Sequence, residues 1–212
     1  MINLVPLLTT MVSRFVKFLS NLLAIWFVGS LTMVVVYKFL PVKVTPLMLI
    51  RKAEARQNDR ILRIRQTWVP LEDISPNIIN AIMNSEDAHF LEHKGFDLNA
   101  IKHAHQSNKR YGYIVAGGST ISQQTAKNVF CTPHRTWFRK AVEAYFTVLI
   151  EFIWGKERIL EVYLNVVEMG DGVFGVQEGS LFHFGVPVSD ISSEEASWLA
   201  WILPYPVYRL GL

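Results

Sequence analysis

The sequence predicts a mainly α-helical protein with one transmembrane helix followed by a single helical domain. Half of the 212 residues are hydrophobic and only 18% are charged, a composition that leans towards a membrane protein. Residues 18–37 contain no charged side chain, and twenty such residues are long enough to cross a bilayer as a helix. No convincing run of alternating polar and apolar residues predicts a strand. The predicted organisation is a short tail over 1–17, a membrane anchor over 18–40, a basic juxtamembrane linker over 41–65 and a helical domain over 66–212.

The apolar segment is interpreted as an uncleaved anchor. A cleavable signal peptide is the alternative, but its shorter apolar core and its small-residue cleavage site are not evident here. Charge does not orient the span, because Arg14 and Lys17 precede it while Lys38 and Lys43 follow it. The basic stretch over 51–65 has two open interpretations, a segment near lipid headgroups or a solvated helix or linker.

The charge balance limits the partners. A formal net charge of +3 and a pI near 9.0 suit an acidic membrane surface or an anionic substrate. The charge is too small to indicate nucleic acid, and no nucleic-acid motif is present. The lone Cys131 cannot form an internal disulfide, so we predict a small buried or semi-buried residue.

Start and stop signals predict the helices of the domain in order. Ser75 caps the first helix, and Pro76 fits its first turn, where a missing N–H costs nothing. A glycine-containing segment between Gly170 and Gly179 is predicted to be flexible or tightly turned. The remaining helices are predicted from Asp97 to about Lys109 before Gly112, from the Thr120–Gln123 capping box, from Trp137 to Trp154, from Lys156 to Met169 after Gly155, and from the Ser192–Glu195 capping box to Pro204.

The first of these helices carries a carboxylate in an unfavourable place. Glu86 falls on the face that Ile79, Ile82 and Met83 make apolar. Burial there disfavours the charged form of a carboxylate. The residue is therefore either a helix-end Glu tied to a buried cation or a general acid or base, and this stretch alone leaves both open.

A second carboxylate lies on the long apolar helix from Trp137. Arg139, Glu143, Thr147 and Glu151 recur every four residues, and Lys140 lies beside Glu143. A polar stripe on an otherwise buried helix faces either a cleft or a buried ion pair. Two such carboxylates in one helical domain suggest glycosidic chemistry. The alternative, equally open, is that Arg139 and Lys140 simply neutralise Glu143.

A glycine-containing turn over 117–120 leads into a helix on which Thr120, Gln124 and Lys127 share a face. Such a turn offers backbone N–H groups to an anion, and the helix dipole favours negative charge there. The group predicts a phosphate or pyrophosphate site, with a flexible turn and an ordinary capping box as the alternative. It is not a P-loop, because the glycine and Lys-Ser/Thr spacing is absent.

A metal site built only from protein side chains is not indicated. His89 and His93 have helical spacing, but no HExxH or Cys-His pattern surrounds them. A divalent ion held between a carboxylate and a substrate pyrophosphate is the more plausible arrangement.

Four segments in order closely resemble the monofunctional peptidoglycan glycosyltransferases, whose domain also occurs in class A penicillin-binding proteins. They are EDAHFLEHKGFD (86–97), GGSTISQQTAKN (117–128), RKAVE (139–143) and KERILEVYLNVVEMGDGVFGV (156–176). The resemblance covers roughly Trp68 to Pro204 together with the anchor. It implies a lysozyme-like helical glycosyltransferase domain with a small membrane-proximal lobe.

The resemblance also implies roles for individual residues. Glu86 matches the catalytic base, and Glu143 matches the second carboxylate, expected to support the donor's pyrophosphate through a divalent ion, Mg or Mn. No organic cofactor is expected. Glu161, Tyr163 and Asn165 match a mainly structural motif. The residues expected to bind substrate are Asp87, Phe90, His93, Gly118, Ser119, Thr120, Gln123, Gln124, Lys127, Asn128, Arg139 and Lys140.

The function implied by the resemblance is polymerisation of lipid II into glycan strands, with release of polyprenyl pyrophosphate. The expected partners are lipid II, the growing lipid-linked glycan, the bacterial membrane and other cell-wall synthesis or division proteins, but not nucleic acid. The expected location is the plasma (inner) membrane, with the catalytic domain on the outer or periplasmic face. Family members commonly continue with a further helical tail beyond a point equivalent to Leu212, so two alternatives are open, a domain without its last helix or a truncated sequence. The rival functions are a lysozyme-like hydrolase or lytic transglycosylase, and an inactive membrane-anchored scaffold.

Overall fold

A computed structural model describes residues 4–113, 117–134 and 136–203, with side chains from residue 11 onward, and divides the chain into two units after Leu40. The first unit is helix α1, Leu4–Phe39. Its stretch Met11–Phe39 is apolar and long enough to cross a membrane, by length and composition. This finding is consistent with the predicted membrane anchor, and the helix begins earlier than the uncharged stretch alone indicated.

The second unit is mainly helical, which confirms the predicted fold class. The caps predicted at Ser75, Asp97, Thr120 and Ser192 all accept hydrogen bonds from the backbone of the first helical turn. Pro204, expected to end the last helix, lies outside the described residues. The helices are α2 Pro46–Gln57, α3 Pro76–Glu86, α4 Leu98–Tyr111, α5 Ile121–Phe130, α6 Trp137–Ile153, α7 Lys156–Val166, α8 Val176–His183 and α9 Ser193–Ile202.

A small three-stranded sheet accompanies the helices. Strand β3 (Val173–Phe174) lies in the middle, parallel to β1 (Arg65–Gln66) and antiparallel to β2 (Glu168–Gly170). The prediction that α7 continues to Met169 is wrong, because residues 168–170 pair with β3 instead. Strands of two or three residues are too short to show an alternating pattern.

The glycine-containing segment is tightly turned at Gly172 and Gly175, but its last part is helical, because α8 begins at Val176. Gly172 and Gly175 have φ angles of 73° and 81°, which side-chain-bearing residues rarely adopt. A Cβ at Gly175 would also lie 2.8 Å from the carbonyl oxygen of Asn165. The Asn165 side chain accepts a hydrogen bond from the Val69 N–H and donates one to the Val69 carbonyl, in agreement with its expected structural role.

Helix α5 is the centre of the unit. It packs against α6 and α7 and also contacts α2, while α3 packs against α9. Ile78 and Ile82 are fully buried on α3, and Ile121 and Tyr163 are fully buried around α5. Because α5 is enclosed on several sides, the polar residues on it either face a cleft or have partners within the protein.

Candidate active site

Glu86 ends helix α3 as a half-buried carboxylate bonded to α5. Its Oε2 accepts a hydrogen bond of 2.7 Å from the Gln124 amide, whose Oε1 lies 3.4 Å from the Tyr163 hydroxyl. Burial, followed by the charges of Glu86 and Asp87, raises the pKa of Tyr163 well above its ordinary value. The hydroxyl therefore stays protonated and donates to Gln124, which leaves the amide N–H₂ turned towards Glu86.

The residues after Glu86 bind the start of α5. The Asp87 carboxylate accepts from the Ile121 N–H at 2.9 Å and lies 3.0 Å from His93 Nε2. His93 Nδ1 accepts a hydrogen bond from the Gly95 N–H. A neutral ring therefore carries its proton on Nε2, which donates a hydrogen bond to Asp87. The Thr120 hydroxyl donates to the Gly95 carbonyl at 2.7 Å. This closed set of contacts fixes the end of α3 against α5.

The start of α5 shows the capping box that the sequence offered as the alternative to an anion site. Its Ile121 N–H binds Asp87, and the Thr120 and Gln123 side chains satisfy each other's backbone N–H groups in the capping box. The anion attracted to this helix N-terminus is the protein's own carboxylate.

Phe90 also faces inward, only 1% exposed, with the Lys156 ammonium 4.5 Å from its ring centroid.

A cleft of about 580 Å³, here called the basic cleft, lies among α2, α5 and α6. Among the described residues, four basic side chains line it, Arg51, Lys127, Arg139 and Lys140, against the one carboxylate of Glu143. Such an excess of positive charge favours an anion. Other predicted residues in its wall are Ser119, Gln123, Gln124 and Asn128, and the less polar part of the wall includes Leu47, Cys131, Pro133 and Trp137.

Glu143 is held between two cations on its own helix. It is 2% exposed, and its two oxygens lie 2.5 Å from Arg139 Nη1 and 2.5 Å from Lys140 Nζ. The structure therefore shows the alternative in which Arg139 and Lys140 neutralise Glu143. Within the described ranges, Arg139 Nε is the one buried side-chain nitrogen or oxygen without a hydrogen-bond partner.

Lys127 lies under the influence of both carboxylates. Its side chain is partly exposed, and burial is the main cause that lowers its pKa below the ordinary 10.5. The charges of Glu143 and Glu86 raise the pKa, whereas those of Arg139 and Lys140 lower it. Lys127 therefore interacts electrostatically with both Glu86 and Glu143.

A smaller cavity of about 230 Å³, here called the Glu86 cavity, adjoins the basic cleft. Both are lined by Ser119, and Gln124 lines the basic cleft while its amide binds Glu86. Gly118 lies in the wall of the Glu86 cavity, where a Cβ would stand 2.9 Å from the Cα of Ile101. A glycine here therefore allows the turn to pack closely on α4.

Sequence reasoning missed the part played by α2 in the cleft. Residues 46–57, assigned to the linker, form a helix that Thr45 caps and that contacts α5. Thr45 before Pro46 is a start signal that could have indicated this helix. Cys131, in contrast, is 6% exposed, which confirms its predicted burial, and burial raises the pKa of its thiol to about 11.

Glu143 does not fit the expected metal ligand in this arrangement. Both of its oxygens are engaged by cationic side chains, which a metal ion would have to displace. His89 Nδ1 lies 3.3 Å from Asp97, whereas His93 turns to Asp87, so the two histidines do not converge. In the described part of the chain, no three His, Cys, Asp or Glu side chains are grouped to hold a metal.

Comparison with known proteins adds a family to this geometry. A family model described as "Transglycosylase" matches residues 54–210. A biosynthetic peptidoglycan transglycosylase of Bdellovibrio bacteriovorus is 46% identical over 190 residues, which span 90% of this chain and 76% of that protein. Proteins of the same name from Pseudomonas putida and Caulobacter vibrioides are 46% and 45% identical, over 93% and 92% of this chain and 83% and 84% of their own.

Proposed function

The chain belongs to the peptidoglycan transglycosylase family, and on that premise we propose that Glu86 is its general base and that the basic cleft holds the donor's pyrophosphate. As a member of that family, it is a glycosyltransferase that polymerises glycan strands for peptidoglycan synthesis. Its substrates are lipid II and the growing glycan chain. The proposal concerns which residues carry the reaction and how they share it.

The observation that carries the proposal is the link between Glu86 and the basic cleft. Gln124 lines that cleft and donates a 2.7 Å hydrogen bond to Glu86, and Ser119 lines both cavities. A base and an anion site are therefore adjacent without overlapping. Glycosyl transfer from a pyrophosphate donor needs this separation, because proton removal and leaving-group departure occur on opposite sides of the reacting carbon.

The proposed step is a single displacement. The 4-hydroxyl oxygen of the acceptor sugar attacks the donor's anomeric carbon and forms the new glycosidic bond, while its proton passes to Glu86. The bond from that carbon to the pyrophosphate oxygen breaks, and the polyprenyl pyrophosphate leaves with the electron pair. One displacement inverts the α-linked donor to a β-linkage and needs no covalent enzyme intermediate.

The side chains of the basic cleft stabilise the departing pyrophosphate. Lys127 supplies a positive charge that interacts with both Glu86 and Glu143, and Arg139 supplies another in the wall of the same cleft. Glu143 keeps Arg139 and Lys140 in place at 2.5 Å each. Cations that are already positioned lower the energy of the developing charge without reorganisation during the step.

The divalent ion remains a prediction, and it does not require Glu143 as a ligand. We propose that Mg or Mn binds the substrate pyrophosphate itself, since Glu143 already has two cationic partners. Treatment with EDTA followed by addition of Mg²⁺ or Mn²⁺ in a polymerisation assay tests this expectation. Full activity in EDTA would show that the side chains of the basic cleft are sufficient.

The lipid part of the donor suits a membrane-anchored protein. Helix α1 is apolar and long enough to span a bilayer, and Trp137, 91% exposed, contributes an apolar surface to the basic cleft. We propose that α1 anchors the protein in the bacterial plasma (inner) membrane with the catalytic unit on the outer or periplasmic face. Cell-wall synthesis or division proteins are the proposed further partners.

Incubation of the detergent-solubilised protein with labelled lipid II, followed by separation of products by size, tests the proposed function. Long glycan that lysozyme digests is the expected product. Cleavage of preformed glycan without polymerisation would instead favour the hydrolase or lytic transglycosylase. Neither activity, from a folded protein, would favour the inactive scaffold.

A further inference from the structure

Helix α2 contributes a cation to the basic cleft that lies outside the four segments of the sequence resemblance. Arg51 lines the cleft together with Leu47, and its side chain is 31% exposed. The other basic residues of the cleft come from α5 and α6, so Arg51 approaches from a different wall. An anion in the cleft could therefore be contacted from more than one side.

Two carboxylates form ion pairs with Arg51, one nearly buried and the other exposed. Glu168, whose side chain is 9% exposed, accepts from Arg51 Nε at 2.7 Å and from Nη2 at 2.9 Å. These hydrogen bonds are the main cause that raises the pKa of Arg51, so the guanidinium stays charged. Glu54, 51% exposed, accepts from Nη1 at 3.1 Å.

The two contacts differ in how easily they exchange. The paired hydrogen bonds to Glu168 fix the plane of the guanidinium and leave the Nη1 side for another acceptor. An exposed ion pair such as Arg51–Glu54 contributes only about 0–1 kcal/mol. A phosphate carries more charge than a carboxylate and matches the same planar donor geometry, so it can replace Glu54.

We propose that Arg51 binds a phosphate group of the lipid-linked donor and that Glu54 is the counter-ion which this phosphate displaces. The inference rests on the proposed function, because it assumes that the basic cleft holds the donor's pyrophosphate. It adds a donor-binding residue from the first helix after the membrane-spanning segment in the chain. Glu168 is the positioning residue for Arg51.

The test is binding of farnesyl diphosphate to the full-length protein in detergent at a fixed Mg²⁺ concentration. Arg51→Met should raise Kd about tenfold, the size of one charge-assisted hydrogen bond. Lys52→Met removes the same charge from an exposed position on the same helix and should change Kd less than about twofold. Glu54→Gln should lower Kd about threefold, because the competing carboxylate is gone.

Arg51→Lys covers the case in which Arg51→Met does not fold, since it keeps a charge beside Glu168 but loses the planar fork. It should also raise Kd, and adding Glu54→Gln to it should give little further gain. The proposal is overturned if Arg51→Lys binds as the wild type does, or if Glu54→Gln leaves Kd unchanged.

Lys127→Met separates this inference from the proposed function. If Lys127→Met weakens binding and the Arg51 variants do not, only the role of Arg51 fails. If neither Lys127→Met nor the Arg51 variants change Kd, the basic cleft does not hold the diphosphate, and the proposed function of the cleft fails with it.

Discussion

Helix α3 ends in Glu86 and helix α6 carries Glu143 near its start, and the protein surrounds these two carboxylates differently. Glu86 is half-buried, lines an open cavity of about 230 Å³ and accepts from the neutral Gln124 amide. Glu143 is 2% exposed, with a cation on each oxygen. The same residue type is thus accessible in one place and enclosed between charges in the other.

The difference indicates a division of work. A base must be reachable by the hydroxyl whose proton it takes, and Glu86 meets that condition. Both oxygens of Glu143 are already engaged by Arg139 and Lys140, so neither is open to a substrate hydroxyl. Glu143 is well suited to keep Arg139 and Lys140 at fixed positions in the basic cleft. Substitutions at each residue, and at the groups that connect them, test this comparison.

Glu86→Gln should give the largest loss of activity. A general base contributes roughly 10²- to 10⁴-fold, so we expect the polymerisation rate to fall about a thousandfold. The amide has the shape of the carboxylate, and the free energy of unfolding should change by less than about 1 kcal/mol. Lipid II polymerisation and thermal unfolding of the same preparation measure both effects. A rate within tenfold of the wild type would remove Glu86 from the role of base.

Glu143→Gln should instead show a large loss of stability. Removing the charge leaves Arg139 and Lys140 beside each other without their shared partner, at a cost of about 3 kcal/mol. The value is at the lower end of the range for buried pairs because Lys140 is 40% exposed. Thermal unfolding, with Glu86→Gln as the matched control, measures the difference. If the two variants were equally stable, the comparison between the carboxylates would break.

Lys127→Met should raise the KM for lipid II about tenfold, because the donor loses one charged contact. Burial lowers the pKa of Lys127 below 10.5, so its charge is present below that lowered pKa and is lost as the pH rises through it. Donor affinity should therefore decline on the alkaline side before pH 10.5 is reached. Lys127→Arg should retain affinity there, since arginine stays charged. An identical alkaline decline in Lys127→Arg would assign it to another group.

Tyr163→Phe should have the smallest effect. The 3.4 Å distance from its hydroxyl to Gln124 is long for an O–H···O bond, so the contact is weak. We expect kcat to change by less than about threefold, with KM for lipid II unaffected. A hundredfold fall in kcat would mean that the orientation of the Gln124 amide controls Glu86 much more strongly than its geometry indicates.

Local signals in the sequence were sufficient for most of the helix starts and for singling out Glu86 and Glu143 as candidates, although α2 and α8 were not predicted. Ser75, Asp97 and Thr120 cap their helices through backbone groups two or three residues away, so the pattern is readable without tertiary structure. The spacing of Arg139, Lys140 and Glu143 within one helix likewise carried the information about their ion pairs.

Contacts between distant residues were beyond the sequence patterns. Asp87 binds the N–H of Ile121 at the start of α5 from 34 residues away, a contact that the local pattern around α5 could not show. Arg51 binds Glu168, which lies 117 residues further along the chain, and this contact fixes α2 as a wall of the basic cleft. Residues 168–170 pair with β3, so α7 ends earlier than its local pattern predicted. Propensity and periodicity describe neighbours in sequence, whereas these features depend on the packed fold.

Chemical rescue tests the division of work between the two carboxylates most directly. Glu86→Ala and Glu143→Ala would each be assayed for lipid II polymerisation with increasing sodium formate, and sodium chloride would serve as the ionic-strength control. Formate is small enough to enter the Glu86 cavity and to act as a base there. We predict saturable recovery of polymerisation for Glu86→Ala and none for Glu143→Ala. Recovery in Glu143→Ala alone, or full activity of Glu86→Ala without formate, would contradict the account.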